Sequence, residues 1–421
     1  MDLSKRQLSH ATAPAASLPS DRAGRALGIA LLAMLYAVPL TVTWSVAGVH
    51  IAIGVAFFLV LVHGLWRRAW PLARTDADLG FAAYALAACI AVLFAVDATS
   101  DPIPLKKLAL IPLAHVAAAV FMHSHRARTA LRLFVFAMAA TTLVASIEFL
   151  LWREGRERLQ ATSHYMTFSG LMILALPMAA TAAAIGPRRP RLAYAAAALV
   201  LGGGLLLTFT RGAWIGIVVG LCAVIARLRR RLLLFVPPVL LLLFLALPSE
   251  FQDRALSSFD LSFGPNADRI QMWRVGMSMW RENPWTGVGL GDLQVIYNDH
   301  VANAAEDARV YGHLHNIWLQ VLASMGLLGL VAFAWLIFSI GRIFWRGGAR
   351  SRDPELRALA MGAWGSFCAF LTMGLFEWNF GDVEVTITLY WFVGVLQALA
   401  GTGTTSCSPT RPVRTSSKSA S

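Results

Sequence analysis

An all-α fold is predicted: a polytopic membrane protein with about 12 transmembrane helices and one large external loop containing short helices. Three observations predict it. Of 421 residues, 57% are hydrophobic and 14% charged, whereas soluble domains carry about 25% charged residues. Twelve apolar stretches approach or reach the length of ~20 residues that a helix needs to cross a bilayer. Lys and Arg concentrate in alternate connections, as cytoplasmic loops require. This composition excludes a string of soluble domains, and it excludes a disordered chain, because so much apolar surface cannot stay in water.

The elements follow in order. Residues 1–25 lack the apolar core of a signal peptide and read as a cytoplasmic tail. Spans are expected within 26–247, at about 26–46, 47–66, 79–96, 108–122, 132–152, 169–186, 192–209, 212–226 and 232–247. The stretches 108–122 and 212–226 are short and must borrow flanking residues. An external segment, 248–313, separates these from the last three spans within 314–400, at about 314–340, 358–376 and 385–400. Residues 401–421 are Ser/Thr-rich and are expected to be a disordered cytoplasmic tail.

With both termini inside, the inner connections hold 25 of the 36 Lys and Arg residues. Acidic residues divide the other way, so the inner side carries +19 and the outer side −6, which sum to the formal +13. The basic excess is therefore an orientation signal, not a nucleic-acid footprint. Cys89, Cys222 and Cys368 fall in spans and Cys407 in the tail. None faces outward, and no CxxC spacing marks a zinc site.

The outer face holds the chemistry. Within the long loop, Ile270, Trp273, Met277 and Trp280 recur at helical spacing. Asp268 is the expected cap of that helix, and Pro284 stops it after Glu282. Such a helix would lie at the membrane surface with its Trp residues at headgroup depth. Gly287, Gly289 and Gly291 follow with neither a strand before them nor a Lys-Ser/Thr after them. They are therefore read as a tight turn approaching the bundle, not a nucleotide loop.

Arg211 sits in a very short turn at the outer membrane edge, with Gly212 beside it. An arginine there either snorkels to headgroups or offers its fork to a phosphate. Arg153, Arg156 and Arg158 also break the inside-positive pattern, although Glu154 and Glu157 alternate with them and a self-neutralised loop has the same pattern. Lys106 and Lys107 are read as headgroup contacts. His315, in Gly312-His313-Leu314-His315-Asn316 at the start of the tenth span, is the most pointed residue. A neutral histidine there can take a proton; a structural interfacial histidine is the alternative. No metal is expected: residues two apart on a helix diverge, and no third ligand has suitable spacing. Gly326 and Gly329 share a face and are expected to favour close helix packing.

Taken together, these motifs resemble the bacterial O-antigen ligases, in a superfamily with O-antigen polymerases and protein O-oligosaccharyltransferases. His315-Asn316, nine residues, then Gly326-Leu327-Leu328-Gly329 carries the resemblance. The Thr210-Arg211-Gly212-Ala213-Trp214 turn, Arg269-x-x-x-Trp273, and Asn283-Pro284-x-x-Gly287-Val288-Gly289 agree with it, over about Leu192 to Gly341. The short chain, ending soon after the twelfth span, favours the ligase.

The resemblance implies transfer of O-antigen polysaccharide from undecaprenyl diphosphate to lipid A–core, during lipopolysaccharide biosynthesis. The reaction would take place at the periplasmic face of the bacterial inner membrane, making the long loop periplasmic. It implies no nucleotide, metal or other cofactor, because the lipid diphosphate is already an activated leaving group. The expected roles are His315 as general base and Arg211 and Arg269 at the diphosphate, with inversion of the anomeric centre. Asn316, His313, Trp273, Arg153, Arg156 and Arg158 are expected to bind substrate. The alternatives are a polymerase using the same donor and, from another class, a secondary transporter. A transporter would place broken helices as a matched pair in the two halves of the chain, and the sequence shows no such pair.

Overall fold

A computed structural model describes residues 22–96, 103–152, 157–291, 293, 312–348 and 351–401. Most of both predicted tails, together with Arg153 and Arg156, lies outside these residues. The described chain is helical throughout: α1 (Arg22–Thr41), α2 (Val46–Arg67), α3 (Asp78–Leu93), α4 (Ile111–Val120), α5 (Ser124–Leu151), α6 (Tyr165–Ile185) and α7 (Arg188–Leu207) come first. Then follow α8 (Arg211–Arg229), α9 (Val236–Ala246), α10 (Ser249–Leu256), α11 (Gly264–Glu282), α12 (Ile317–Arg346), α13 (Pro354–Met373) and α14 (Val383–Gly401).

Among the described residues, eight helices are long and apolar enough to cross a membrane: α1, α2, α5, α6, α7, α12, α13 and α14. The other predicted stretches coincide with α3, α4, α8 and α9, which fall short in length or apolarity. The stretch 108–122 gains length from a 3-10 segment, Ile103–Leu110, that runs into α4. Similarly, Arg230–Phe235 is a 3-10 segment ahead of α9, where Pro237 sits in the first turn and a missing N–H costs nothing. None of the residues in α9 is buried.

α6, α13 and α14 form the centre, with 67–78% of their apolar windows buried, against 28–33% for α1, α2 and α7 at the periphery. Close approach at the centre depends on small residues. Gly216 and Gly220 of α8 lie one turn apart, and a Cβ at Gly220 would meet the Gly365 carbonyl of α13 at 2.4 Å. Backbone contact of this kind is how helices associate in lipid, where apolar side chains gain little from meeting one another.

α12 is broken. Gly326 has φ +62° and ψ −163°, far from helical values, a region open to glycine because it lacks a Cβ. At the break the ladder is completed by the 284–289 turn. Leu327 and Leu328 donate to the carbonyls of Pro284 and Trp285, at 2.9 and 3.2 Å, while Val288 and Gly289 donate to those of Ala323 and Ser324, at 2.9 and 3.0 Å. Four helix groups that would otherwise be orphaned in the interior are thus satisfied by the loop. Gly287 (φ +69°) and Gly289 (φ +108°) supply the turn's own positive-φ positions, as its reading as a tight turn required. The expectation for Gly326 is corrected: it is the break itself, not a packing face shared with Gly329.

α11 also differs from expectation. It begins at Gly264, with Pro265 in the first turn and no side-chain cap, so the exposed Asp268 lies inside the helix and caps nothing. The stop holds, because α11 ends at Glu282 ahead of Pro284. Its buried face is Met272, Val275, Gly276 and Met279. That face packs with Val288, Leu293, Leu314 and Ala323 into a small core separate from the main one. Trp273 and Trp280 are half-buried at the flanks.

Candidate active site

The Thr208–Thr210 turn and the α8–α13 packing hold Arg211 at the first position of α8, only 8% exposed. A Cβ at Gly212 would lie 3.2 Å from the Phe376 Cβ, so the small residue lets α8 start against the α13–α14 connection. The long loop grips the guanidinium. Arg211 donates to Ser257 Oγ at 3.1 Å and to Asn266 Oδ1 at 2.7 Å. Asn266 is itself fixed by donating to the carbonyls of Ser257 and Asp260, at 2.8 and 2.6 Å. Phe263 stands 5.3 Å from the Arg211 guanidinium and 5.8 Å from that of Arg254.

Arg254, on α10, donates to the Phe209 carbonyl at 3.3 Å. Arg158 lies over the Tyr165 ring at 4.5 Å. Arg269 comes from α11, and its Nε is buried without a partner. These four arginines line one cavity of about 140 Å³ with Tyr165, Phe209, Gly212 and Glu377. Burial lowers Arg254 below the ordinary guanidinium value, and the charges of Arg158 and Arg269 lower it further. Burial also lowers Arg269, against the pull of Glu377. Arginine stays charged even so. The cavity therefore concentrates positive charge in a partly dry place, which an anion would relieve.

His315 approaches from the other side. Residues 312–316 are not helical, and His315 has φ +47°, an uncommon conformation for a side-chain-bearing residue. The strand of chain around it is tied down at several points. The indole N–H of Trp273 donates to the Leu314 carbonyl at 3.0 Å, and Gln320 Oε1 accepts from the Leu314 N–H at 2.8 Å. The Ile317 N–H donates to the Gly374 carbonyl at 2.7 Å. Asn316 caps α12 by accepting from the N–H groups of Trp318 and Leu319, both at 3.0 Å, and donates to the Leu375 carbonyl at 3.1 Å. Strain held by surroundings of this kind is characteristic of sites where a side chain must be aimed.

His315 Nδ1 lies 2.9 Å from Glu377 Oε2, and the carboxylate is 6% exposed. Burial pushes the Glu377 carboxyl up, but the hydrogen bond and charge of His315, the charge of His313 and the Trp378 N–H outweigh it. The net position is below the usual carboxylate range. An ionised carboxylate can only accept, so Nδ1 carries the hydrogen, which leaves Nε2 as the nitrogen free to take a proton. His313 stands with its ring 4.2 Å from that of His315. Burial chiefly, against the pull of Glu377 and with the charges of Arg269 and Lys107 adding to it, pushes it down to about 4, so it is neutral at physiological pH.

The argument from helix geometry against a metal is corrected. His313 and His315 are not on a helix, their rings adjoin, and Glu377 is a third group. Their ligand atoms all lie within 4.8 Å of one another, and these three residues could hold an ion. Within the cluster His315 Nδ1 hydrogen-bonds Glu377 Oε2, and His313 Nδ1 lies 3.9 Å from Glu377 Oε1.

Of the residues singled out by sequence, Arg211, Arg269 and Arg158 line one cavity, and His315 and His313 share Glu377, which lines the same cavity. Trp273 and Asn316 use their polar groups to hold the backbone around His315. Lys106 is exposed, but Lys107 is corrected: it donates to the Gly381 carbonyl at 2.5 Å instead of reaching headgroups. Sequence reasoning missed Glu377 and Arg254. The signal for Glu377 was a lone acid among aromatics in Phe376-Glu377-Trp378, at the end of an apolar span. Arg254 gave no signal beyond its external charge.

These features define a multi-pass membrane protein with a histidine–carboxylate pair beside a cationic cavity, a combination suited to group transfer from an anionic leaving group. Residues 195–334 match the family described as O-Antigen ligase, and this domain supports the resemblance to that family and implies a glycosyl-transfer enzyme of the ligase/polymerase type. The matched range contains Arg211, Arg254, Arg269 and His315 and stops short of Glu377. No curated protein matches the chain.

Proposed function

We propose that the chain is an O-antigen ligase, moving glycan from undecaprenyl diphosphate to a hydroxyl of lipid A–core at the periplasmic face of the inner membrane. The observation that carries this is the convergence of four arginines and Glu377 on one cavity, with His315 hydrogen-bonded to that same Glu377. A lipid diphosphate diester carries about two negative charges and needs cations aimed at its oxygens as the sugar departs.

In this reading the acceptor oxygen attacks the anomeric carbon while the bond from that carbon to the diphosphate oxygen breaks. The diphosphate leaves with the bonding electrons, and its growing charge falls to Arg211 and Arg269, with Arg254 and Arg158 beside them. The acceptor proton passes to Nε2 of His315. Glu377 orients the imidazole and stabilises the cation that forms, as a carboxylate partner does for a catalytic histidine. One displacement inverts the anomeric centre. No metal is required in this reading, because the lipid diphosphate is already an activated leaving group.

The α12 break does not favour transport. Its freed backbone groups are filled by the 284–289 turn, whereas transporters leave such groups to coordinate ions.

The test is transfer by purified protein from undecaprenyl-diphosphate glycan to lipid A–core. Product with inverted configuration, undiminished by chelator, is expected. Loss with chelator and rescue by a divalent ion would move the chemistry to a metal held by His313, His315 and Glu377. Extension of a second lipid-linked repeat, with lipid A–core left unmodified, would make the chain a polymerase. Solute flux in vesicles without transfer would contradict the reading.

A further inference from the structure

A second cavity, about 280 Å³, is twice the size of the arginine cavity and shares no residue with it. Its wall combines the aromatic rings of Tyr84, Trp378, Phe380 and Tyr390 with the polar groups of Lys107, Gln320, Ser324 and Thr386. Among the described residues the only charge on the wall is one lysine, which does not suit a second diphosphate site. The mixture of aromatic faces with a few fixed hydrogen-bonding groups also makes it a poor channel for a polyprenyl chain. It is suited to a ligand with alternating C–H faces and hydroxyls.

Its position adds to this. Glu377 lines the arginine cavity and the adjacent Trp378 lines this one. Gly312 and Gln320, on either side of the histidines in sequence, line the larger cavity, and the Gln320 side chain binds the Leu314 N–H directly before His315. The segment carrying His313 and His315 therefore lines the larger cavity at its two ends and meets the arginine cavity through the His315–Glu377 hydrogen bond. An inverting displacement needs the acceptor hydroxyl opposite the leaving group, with the base beside it.

Resting on the transferase reading, we infer that the larger cavity is the acceptor site and takes the hydroxyl-bearing sugar ring of the acceptor glycan, with Ser324 and Tyr84 among its contacts. Ala88, buried in the same wall, provides a way to fill the space without removing a polar group.

The experiment measures initial rates of the purified full chain against each substrate in turn, for wild type, Ala88→Leu and Ser324→Ala. Ala88→Leu is expected to raise the acceptor KM by about 10-fold or more, as overfilling a packed site does. Ser324→Ala is expected to raise it by about 2- to 10-fold, the range of one hydrogen bond. Donor KM should stay within about twofold for both. A rise in donor KM instead would assign the cavity to the donor and overturn the inference. Unchanged acceptor KM in Ser324→Ala, together with either an unchanged value or an unfolded protein in Ala88→Leu, would also overturn it. A wild type that transfers to no acceptor would fail the transferase reading itself, which active wild type with indifferent variants would not.

Discussion

The two ends of the bundle treat their arginines in opposite ways. At the end away from the long loop, cations meet carboxylates. Arg132 donates to both oxygens of Glu355, which also accepts from the Tyr194 hydroxyl at 2.6 Å. Arg128 pairs with Asp353 at 2.6 Å, and Arg346 with Asp76 at 3.5 Å. At the loop end, Arg211 is held by a hydroxyl and a carboxamide and Arg254 by a carbonyl. Among the described residues, Arg211, Arg254 and Arg269 make no ion pair. Paired charges fasten helices to one another. Charges held in place by neutral groups keep their field for something that arrives, and burial makes that field stronger.

The largest expected break in this contrast is His315→Ala, which should cut transfer by roughly 10² to 10⁴ while the protein still folds. Full turnover in that variant would leave His315 as a structural residue. Glu377→Gln should follow, at about 10- to 100-fold in kcat with donor KM little changed, because the base is misaimed, not removed. A pure KM effect would make Glu377 a binding group.

Gly326→Ala probes the scaffold. Its new Cβ would stand 2.3 Å from the Trp285 carbonyl carbon. A loss of at least ~1–3 kcal/mol in denaturant unfolding is expected, and an unchanged midpoint would mean that the break is not needed.

The smallest effect is expected at Asp382. Burial chiefly, then Glu377 and Glu384, pushes its carboxyl up to about 7. An unfolded aspartate titrates near ~3.9, so the native state binds the extra proton. Stability from this group is therefore present at low pH and lost as pH rises from about 4 to about 7. Asp382→Asn should narrow the difference in thermal midpoint between about pH 5 and pH 8. An equal difference in both proteins would remove Asp382 from the account.

Much of this was legible before any coordinates. Apolar run length located the eight helices long and apolar enough to cross a membrane, because a bilayer imposes that length. Arg211 stood out because an arginine at a membrane edge needs a reason, and Pro284 ended α11 because it cannot continue a helix. What was hidden is tertiary. Gly326 looks like any small residue on a helix face until the 284–289 turn is seen threading its hydrogen-bond ladder. Asp268 resembles a cap, but Pro265 is equally at home in a first turn and starts the helix earlier. Glu377 lies 62 residues from His315 in sequence, and no local pattern records that pairing. For the same reason the His313–His315 spacing was read as if it were helical.

The most direct measurement compares one charged residue from each end in the same transfer assay, with rates normalised to folded protein. Arg269→Ala is expected to lose about 10² to 10³ in kcat, the cost of removing a preorganised charge from a developing anion. Glu355→Gln should lower the unfolding midpoint and leave normalised transfer within about threefold. If Arg269→Ala transfers as well as wild type, or if Glu355→Gln costs as much activity as Arg269→Ala, the unpaired arginines are not the machinery of transfer.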